Sequence, residues 1–143
     1  MLILGAVLLV PVNKVDVAQL RPIEVISIYK EGSTVVLETD TEDIGRGADV
    51  LAALQDMKQT SPAVIYLDTA EYLLIAENAV KEAEQLRGVL KEAVQLCMAQ
   101  ERINLQEAAK YLPVHGEFPK LRQWKAGDQL PVIGLENDRI KIS

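Results

Sequence analysis

The chain has 143 residues, enough for one domain or for one domain with a short extension. Apolar residues make up 49% of it and charged residues 25%, which is typical of a folded globular protein. A net charge of −6 excludes the basic surface that binding to a nucleic-acid backbone requires. The single cysteine and single histidine exclude an internal disulfide and a zinc site built from several such ligands.

Residues 1–12, MLILGAVLLVPV, form an apolar run that is too short to cross a bilayer, which takes about 20 residues. The run matches the hydrophobic region of a signal peptide, although no basic residue precedes it. We favour a signal or anchor remnant, because nothing polar breaks the run before Pro11. The alternative interpretation is that the run is a buried strand of the folded domain. The first interpretation predicts an exported or membrane-associated protein and the second a cytoplasmic one. The polar stretch 13–22 is interpreted as a connector.

The first predicted element is a β-hairpin over residues 23–40, where two β-branched runs flank the turn KEGS. Neither face of its first arm is purely polar, so we expect a sheet covered on at least part of its second side. Gly45 and Gly47 lead into a segment whose apolar residues, at helical spacing, predict a helix over 48–58. The sequence TSP at 60–62 ends this helix.

The next segment, AVIYLDTAEYLLIAENAV (63–80), contains the apolar runs VIYL and EYLLIA, which predict extended chain with a kink or bulge at DTA. Strong helix formers then predict a helix over 77–93. VQLCMAQ (94–100) fits either a continuation of that helix or a buried strand, and periodicity does not decide between them.

The last part of the chain begins with Asn104, which Glu107 follows three residues later in a capping-box arrangement, so a short helix is predicted over 104–112. Pro113 ends this helix, and residues 113–143 form a C-terminal extension. In that extension LPVIGL and RIKIS flank ENDR, which predicts a second hairpin that either adds to the edge of the sheet or forms a small appendage.

Two carboxylate groups are candidates for chemistry. Asp68 and Glu71 stand three residues apart, but no nucleophile or second base lies near them in sequence, and Asp-Thr is common in turns. The acidic cluster ETDTED (38–43) departs from a calcium-binding loop, because Gly45 comes too late for the sharp turn and Asp49 stands where a bidentate Glu would close the loop. We therefore favour a turn and a solvated loop.

Three further side chains have types that occur in functional sites: a cysteine, a histidine and a tryptophan. Cys97 lies in an apolar run that would raise its pKa, so we expect an inert thiol. His115 has no other histidine to work with, and we interpret it as a loop or helix-end residue. Trp124, with basic neighbours, could touch an anionic surface or cover the edge of the core, and we favour the core.

Several segments resemble the N-terminal domain of the C subunits of bacterial spore germinant receptors and the related ring-building motif of sporulation proteins. They are a glycine-then-helix segment, IGRGADVLAALQDM, a strand running into a helix, IYLDTAEYLLIAENAVKEA, and a closing helix, QEAAKYL. The resemblance implies that VQLCMAQ is a strand. It also implies an envelope-associated assembly domain from a spore-forming Gram-positive bacterium.

We predict an α+β domain over residues 23–112, with helices packed on one face of a mixed sheet, as in the ring-building motif, and a small C-terminal hairpin. The predicted function is a non-catalytic, envelope-associated interaction or assembly module, related to sporulation or germination. The alternative is a cytosolic small-molecule-binding or regulatory domain. We expect no cofactor, metal or nucleic acid, a protein partner or self-association, and membrane proximity through residues 1–12. The candidate interaction residues are Asp68, Glu71, His115 and Trp124.

Overall fold

A computed structural model describes residues 22–61 and 65–143 of the chain. Three predictions concern residues outside these ranges: those for residues 1–21, for Pro62 as a helix end and for Val64 as part of a strand. In chain order the elements are β1 (Val25–Glu31), β2 (Thr34–Thr39), β3 (Ile44–Gly47), α1 (Val50–Thr60), β4 (Tyr72–Ala76), α2 (Val80–Ala83), β5 (Gln95–Ala99), α3 (Leu105–Tyr111), β6 (Val132–Glu136) and β7 (Arg139–Ile142). None of the helices in the described ranges is long and apolar enough to cross a membrane.

All seven strands form one mixed sheet in the order β3-β2-β1-β4-β5-β6-β7. The four central strands, β1, β4, β5 and β6, run parallel, and an antiparallel hairpin lies at each end. The predicted α+β class and mixed sheet are confirmed. The C-terminal hairpin adds to the edge of the sheet, because β6 pairs with β5.

The two hairpins turn at positions that the sequence marks. Gly32 has a positive φ of 63° in the turn between β1 and β2. Asn137 and Asp138 both have positive φ, 53° and 63°, in the turn between β6 and β7. Gly, Asn and Asp tolerate this left-handed conformation better than other residues do, which is why these turns could be predicted.

Helix α1 lies against β3 with almost no space between the two backbones. A Cβ atom added to Gly45 would lie 2.1 Å from the carbonyl oxygen of Ala53, and one added to Gly47 would lie 2.6 Å from the Ala53 nitrogen. The helix begins where Asp49 accepts a hydrogen bond from the Ala52 N–H at 2.8 Å. The two glycines are therefore needed for the close approach of helix and strand.

Side chains of α1 also cover the outer edge of β3. The Arg46 N–H donates to Asp56 Oδ2 at 2.9 Å, and Thr60 Oγ1 donates to the Ile44 carbonyl at 3.4 Å. These bonds occupy backbone groups that an edge strand otherwise offers to another chain.

The sheet is covered on both faces. One face, here called the α1 face, carries Ile26 and Ile28 of β1 and packs against α1 and α2. The other, the α3 face, carries Val25 of β1 and packs against α3. The expectation of helices on one face holds for α1 and α2, while α3 covers the second face. Successive side chains of a strand point to opposite faces, and β1 has apolar side chains on both. This pattern indicated that the second face of the sheet is also covered.

Two segments differ from the sequence prediction. The kink or bulge predicted at DTA is a helical turn, Leu67–Thr69, so Leu67 is helical instead of extended. Thr69 Oγ1 in this turn binds both the N–H and the carbonyl of Ile23, at 2.9 and 2.8 Å. The helix expected over 77–93 ends early. The α-helical residues Val80–Ala83 are flanked by 3-10 turns at Glu77–Ala79 and Glu84–Leu86, and the chain then turns at Gly88, which has a φ of 82°. VQLCMAQ is strand β5, the interpretation adopted from the resemblance.

Candidate functional site

A groove of about 480 Å³ lies at the carboxyl ends of the parallel strands β1, β4 and β5. The chain leaves β4 toward α2 on the α1 face, whereas it leaves β5 toward α3 on the opposite face. Connections that diverge from adjacent parallel strands leave a crevice, and open α/β sheets bind ligands in such crevices. We call this crevice the switch-point groove. Its lining comes from β1, β2, β4, the start of the β4–α2 connection, β5, the β5–α3 loop and the start of α3. The lining residues are Ser27, Ile28, Tyr29, Lys30, Glu31, Glu38, Leu74, Ala76, Glu77, Asn78, Ala99, Gln100, Glu101, Arg102, Ile103 and Leu105.

Most of the apolar lining lies on the α3 face, while Ile28 of β1 belongs to the α1 face. Leu74 and Ala76 stand two positions apart on β4 and so share one face. Ala99 ends β5, and Leu105 begins α3. Leu74 is 1% exposed, so this part of the groove belongs to the core. Two alanines at the strand ends leave space that larger side chains would fill.

Three side chains from distant parts of the chain meet at one wall. Tyr29 Oη and Arg102 Nη2 both donate to Glu38 Oε1, the arginine at 2.5 Å. The Arg102 guanidinium also lies over the Tyr29 ring, 5.0 Å from its centroid. Burial and the hydrogen bond to Glu38 raise the pKa of Tyr29 to about 12. Tyr29 is therefore a hydrogen-bond donor at neutral pH and is not a base.

A second wall is held by an asparagine that binds a neighbouring backbone twice. The Lys30 N–H donates to Asn78 Oδ1 at 3.2 Å, and Asn78 Nδ2 donates to the Lys30 carbonyl at 3.1 Å. Lys30 Nζ lies 3.5 Å from Glu82. The end of β1 is thereby fixed to the start of the β4–α2 connection.

The third wall is the loop from β5 to α3. Glu101 Oε1 accepts a hydrogen bond from the Leu135 N–H of β6 at 2.8 Å. Together with the Arg102–Glu38 contact, this bond holds the loop at both of its sides. The groove is thus formed before any ligand arrives.

The carboxylate pair predicted from the sequence does not line the groove. Asp68 is exposed in the helical turn before β4. Glu71, also exposed, accepts a hydrogen bond from Lys91 Nζ at 2.6 Å. Both carboxylates lie at the amino end of β4, opposite to the groove.

The two ring candidates are engaged in local structure. His115 is exposed and stacks on Tyr111 with ring centroids 3.6 Å apart, while its Nδ1 lies 2.7 Å from the Tyr111 carbonyl. Trp124 is 3% exposed in the core of the α1 face, and the guanidinium of Arg87 lies 5.6 Å from its ring centroid. The structure thus places Trp124 in the core, not on an anionic-contact surface.

Cys97 and the acidic cluster also have structural surroundings. Cys97 is buried, and this burial raises its pKa to about 12, as an inert thiol requires. Asp40 Oδ1 accepts from the Glu24 and Val25 N–H groups at 2.9 and 3.0 Å, and Asp43 accepts from Ser61 Oγ at 2.6 Å. Residues 22–61 and 65–143 contain no group of three or more His, Cys, Asp and Glu side chains that could hold a metal ion.

No sequence pattern points to Tyr29 or Arg102, and Glu38 stands out in the sequence only as part of the acidic cluster. Arg102 and Glu38 are 64 positions apart, so no local motif contains both. The signal that could have found them is positional: residues at the carboxyl ends of predicted parallel strands share one edge of the sheet. Using it required knowing that β1, β4 and β5 are adjacent.

No protein-family model, curated protein or solved structure matches the chain significantly. The resemblance to germinant-receptor and ring-building domains stays a prediction.

Proposed function

We propose that this protein is a non-catalytic small-molecule-binding or regulatory domain whose ligand occupies the switch-point groove. The observation that carries the proposal is the position of the groove, at the carboxyl ends of β4 and β5, whose connections diverge. The walls are held by contacts from β2, β6 and the β4–α2 connection, so little ordering entropy opposes binding.

A binding role is supported over a catalytic one by the state of the titratable groups. Tyr29, with a pKa of about 12, keeps its proton at neutral pH. Neither Cys97 nor His115 lines the groove. Its exposed carboxylates, Glu77 and Glu101, therefore have no thiol or imidazole beside them to serve as a nucleophile.

The test is a panel of small metabolites screened against the full chain by thermal shift, with binders mapped by backbone amide NMR. We expect a binder to shift the amide resonances of Ala76, Ala99 and Gln100. Ala99→Leu, which fills the groove, is expected to abolish binding, while Ala126→Leu in an exposed turn leaves it unchanged. Binders that leave the groove resonances unshifted would contradict the proposal.

We also propose, as a second candidate, an interaction or assembly module that uses the free edge of β7. Val132 and Ser143 exchange both backbone hydrogen bonds, at 3.1 and 2.9 Å. Because hydrogen-bonded and non-bonded pairs alternate in an antiparallel ladder, the N–H and carbonyl groups of Ile140 and Ile142 point away from β6. Another strand can add to such an edge.

As part of this second candidate, we propose that the protein is located at the cell envelope and acts in sporulation or germination, with residues 1–12 as its signal or anchor. Its test is sedimentation of the full chain at micromolar concentration, alone and with Ile142→Pro, which removes an outward N–H. Ile142→Ala is the matched control for the lost side chain. We expect Ile142→Pro to weaken association more than Ile142→Ala does. The envelope location is tested separately by cell fractionation, in which we expect the protein in the membrane fraction. A strict monomer would argue against self-association.

A further inference from the structure

We propose that the switch-point groove selects a small organic cation, namely an amine with a short apolar body. This inference rests on the binding function proposed above and specifies its ligand class. Two observations support it: the charged side chains of the lining that form no ion pair in the described part of the chain are carboxylates, and apolar side chains lie beside them.

Most charged side chains of the lining are already neutralised. Lys30 lies 3.5 Å from Glu82, a residue outside the lining. Arg102 and Glu38 form a pair within the lining at 2.5 Å, and Glu31 pairs with Arg46 at 3.2 Å. Both basic groups of the groove are therefore occupied, and neither offers a free positive charge to an anion.

Two carboxylates remain. Glu77 forms no ion pair within the described ranges, and Glu101 uses one oxygen to accept from the Leu135 N–H, which leaves the other oxygen free. Both residues are exposed at the groove. The chain as a whole carries a charge of −6, so the long-range field also attracts cations.

The apolar side chains determine the rest of the ligand. Leu74, Ala76, Ala99 and Leu105 provide a surface for a short hydrocarbon or ring, next to the carboxylates. An inorganic cation would gain nothing from this surface. A metal ion is also disfavoured because no group of three or more metal-ligating side chains is present in the described ranges.

A carboxylate ligand is the alternative class, and the guanidinium of the lining, Arg102, already has Glu38 as its carboxylate partner. Arg102 is largely exposed, so this pair contributes little to stability, but its balanced charge gives an anion little net attraction. Glu77 and Glu101 would in addition repel a ligand carboxylate. The observed pairing therefore favours a cation.

The test uses three probes of one length, namely hexylamine, hexanol and hexanoate, titrated into the full chain by amide NMR at low salt. We expect hexylamine to shift the groove resonances with about five- to tenfold higher affinity than hexanol, and hexanoate to bind more weakly than hexanol. The preference for hexylamine is expected to decrease as sodium chloride is added.

Glu77→Gln and Glu101→Gln are each expected to weaken hexylamine binding about two- to fivefold and to leave hexanol binding unchanged. Glu92→Gln, an exposed glutamate outside the groove, is the matched control and is expected to change neither. Equal binding of hexylamine and hexanol, or tighter binding of hexanoate, would overturn the cation inference and leave the groove-binding function standing. If none of the three probes nor any panel compound shifts the groove resonances, both proposals fail.

Discussion

On the α1 face of the sheet, helix and strand backbones touch through two glycines, and side chains of α1 cover the edge of β3. On the α3 face, the helix is shorter and two alanines at the strand ends leave the switch-point groove beside it. The same sheet thus supports a face packed without space and a face with space for a ligand. The difference shows where this sequence places stability and where it leaves room for binding.

The largest expected effect tests the close packing of the α1 face. Gly45→Ala would place a Cβ 2.1 Å from the Ala53 carbonyl oxygen, a backbone atom that cannot move aside cheaply. We expect a loss of about 3 kcal/mol or more in the free energy of unfolding. Urea unfolding followed by fluorescence of the single tryptophan, Trp124, measures it.

Gly32→Ala is the control for the glycine prediction, because Gly32 has a φ of 63° with nothing within 4 Å of an added Cβ. Only the left-handed conformation opposes this substitution, so we expect a loss of about 1 kcal/mol. Equal losses for Gly45 and Gly32 would show that the helix moves freely from the strand.

Two leucines that are each 6% exposed, Leu54 on α1 and Leu105 on α3, allow the stability lost on truncation to be compared between the two faces. Leu54→Ala leaves a cavity in closely packed surroundings, and we expect it to cost about 3 kcal/mol. Leu105→Ala borders the groove, where water and neighbouring side chains can enter, so we expect about 2 kcal/mol. The same urea unfolding measures both variants, and a larger loss for Leu105→Ala would reverse the contrast between the faces.

The smallest expected effect concerns pH on the α3 face. Because the pKa of Tyr29 is raised to about 12 in the folded protein, the folded state holds this proton more tightly than the unfolded chain does. The contribution to stability is complete below pH about 10, the unfolded value, and is lost as the pH rises to about 12.

Tyr29→Phe is therefore expected to remove one late-titrating phenol from the ultraviolet absorbance titration. It is also expected to flatten the decline in stability between pH about 10 and 12. Tyr66→Phe, at an exposed tyrosine, is the control. A titration curve that Tyr29→Phe leaves unchanged above pH 10 would show that Tyr29 is not the protected phenol.

Elements encoded by neighbouring residues could be predicted from the sequence. The β1–β2 turn needed Gly32, the N-terminus of α3 needed Asn104, whose Oδ1 accepts from the Glu107 N–H at 3.0 Å, and α1 showed helical periodicity. Each of these signals lies within a few residues.

Features that depend on distant contacts could not be predicted. After Leu86 the chain turns instead of continuing as a helix, and Arg87 there binds the carbonyls of Leu121 and Trp124, 34 and 37 positions away. Helix propensity is a weak preference that such contacts override. The groove likewise combines Tyr29, Glu38 and Arg102 from three separate elements.

The burial of Leu121, Trp124 and Leu130 in the α1-face core has a consequence for biosynthesis. Strand β1 leaves the ribosome before β5 and α3, whereas these three side chains emerge after both of those elements. The α1 face consequently cannot close on the nascent chain until residues 121–130 have been translated. During that interval the exposed edge of β5 is open to aberrant pairing, which makes this stage of translation the one at which a chaperone is most useful.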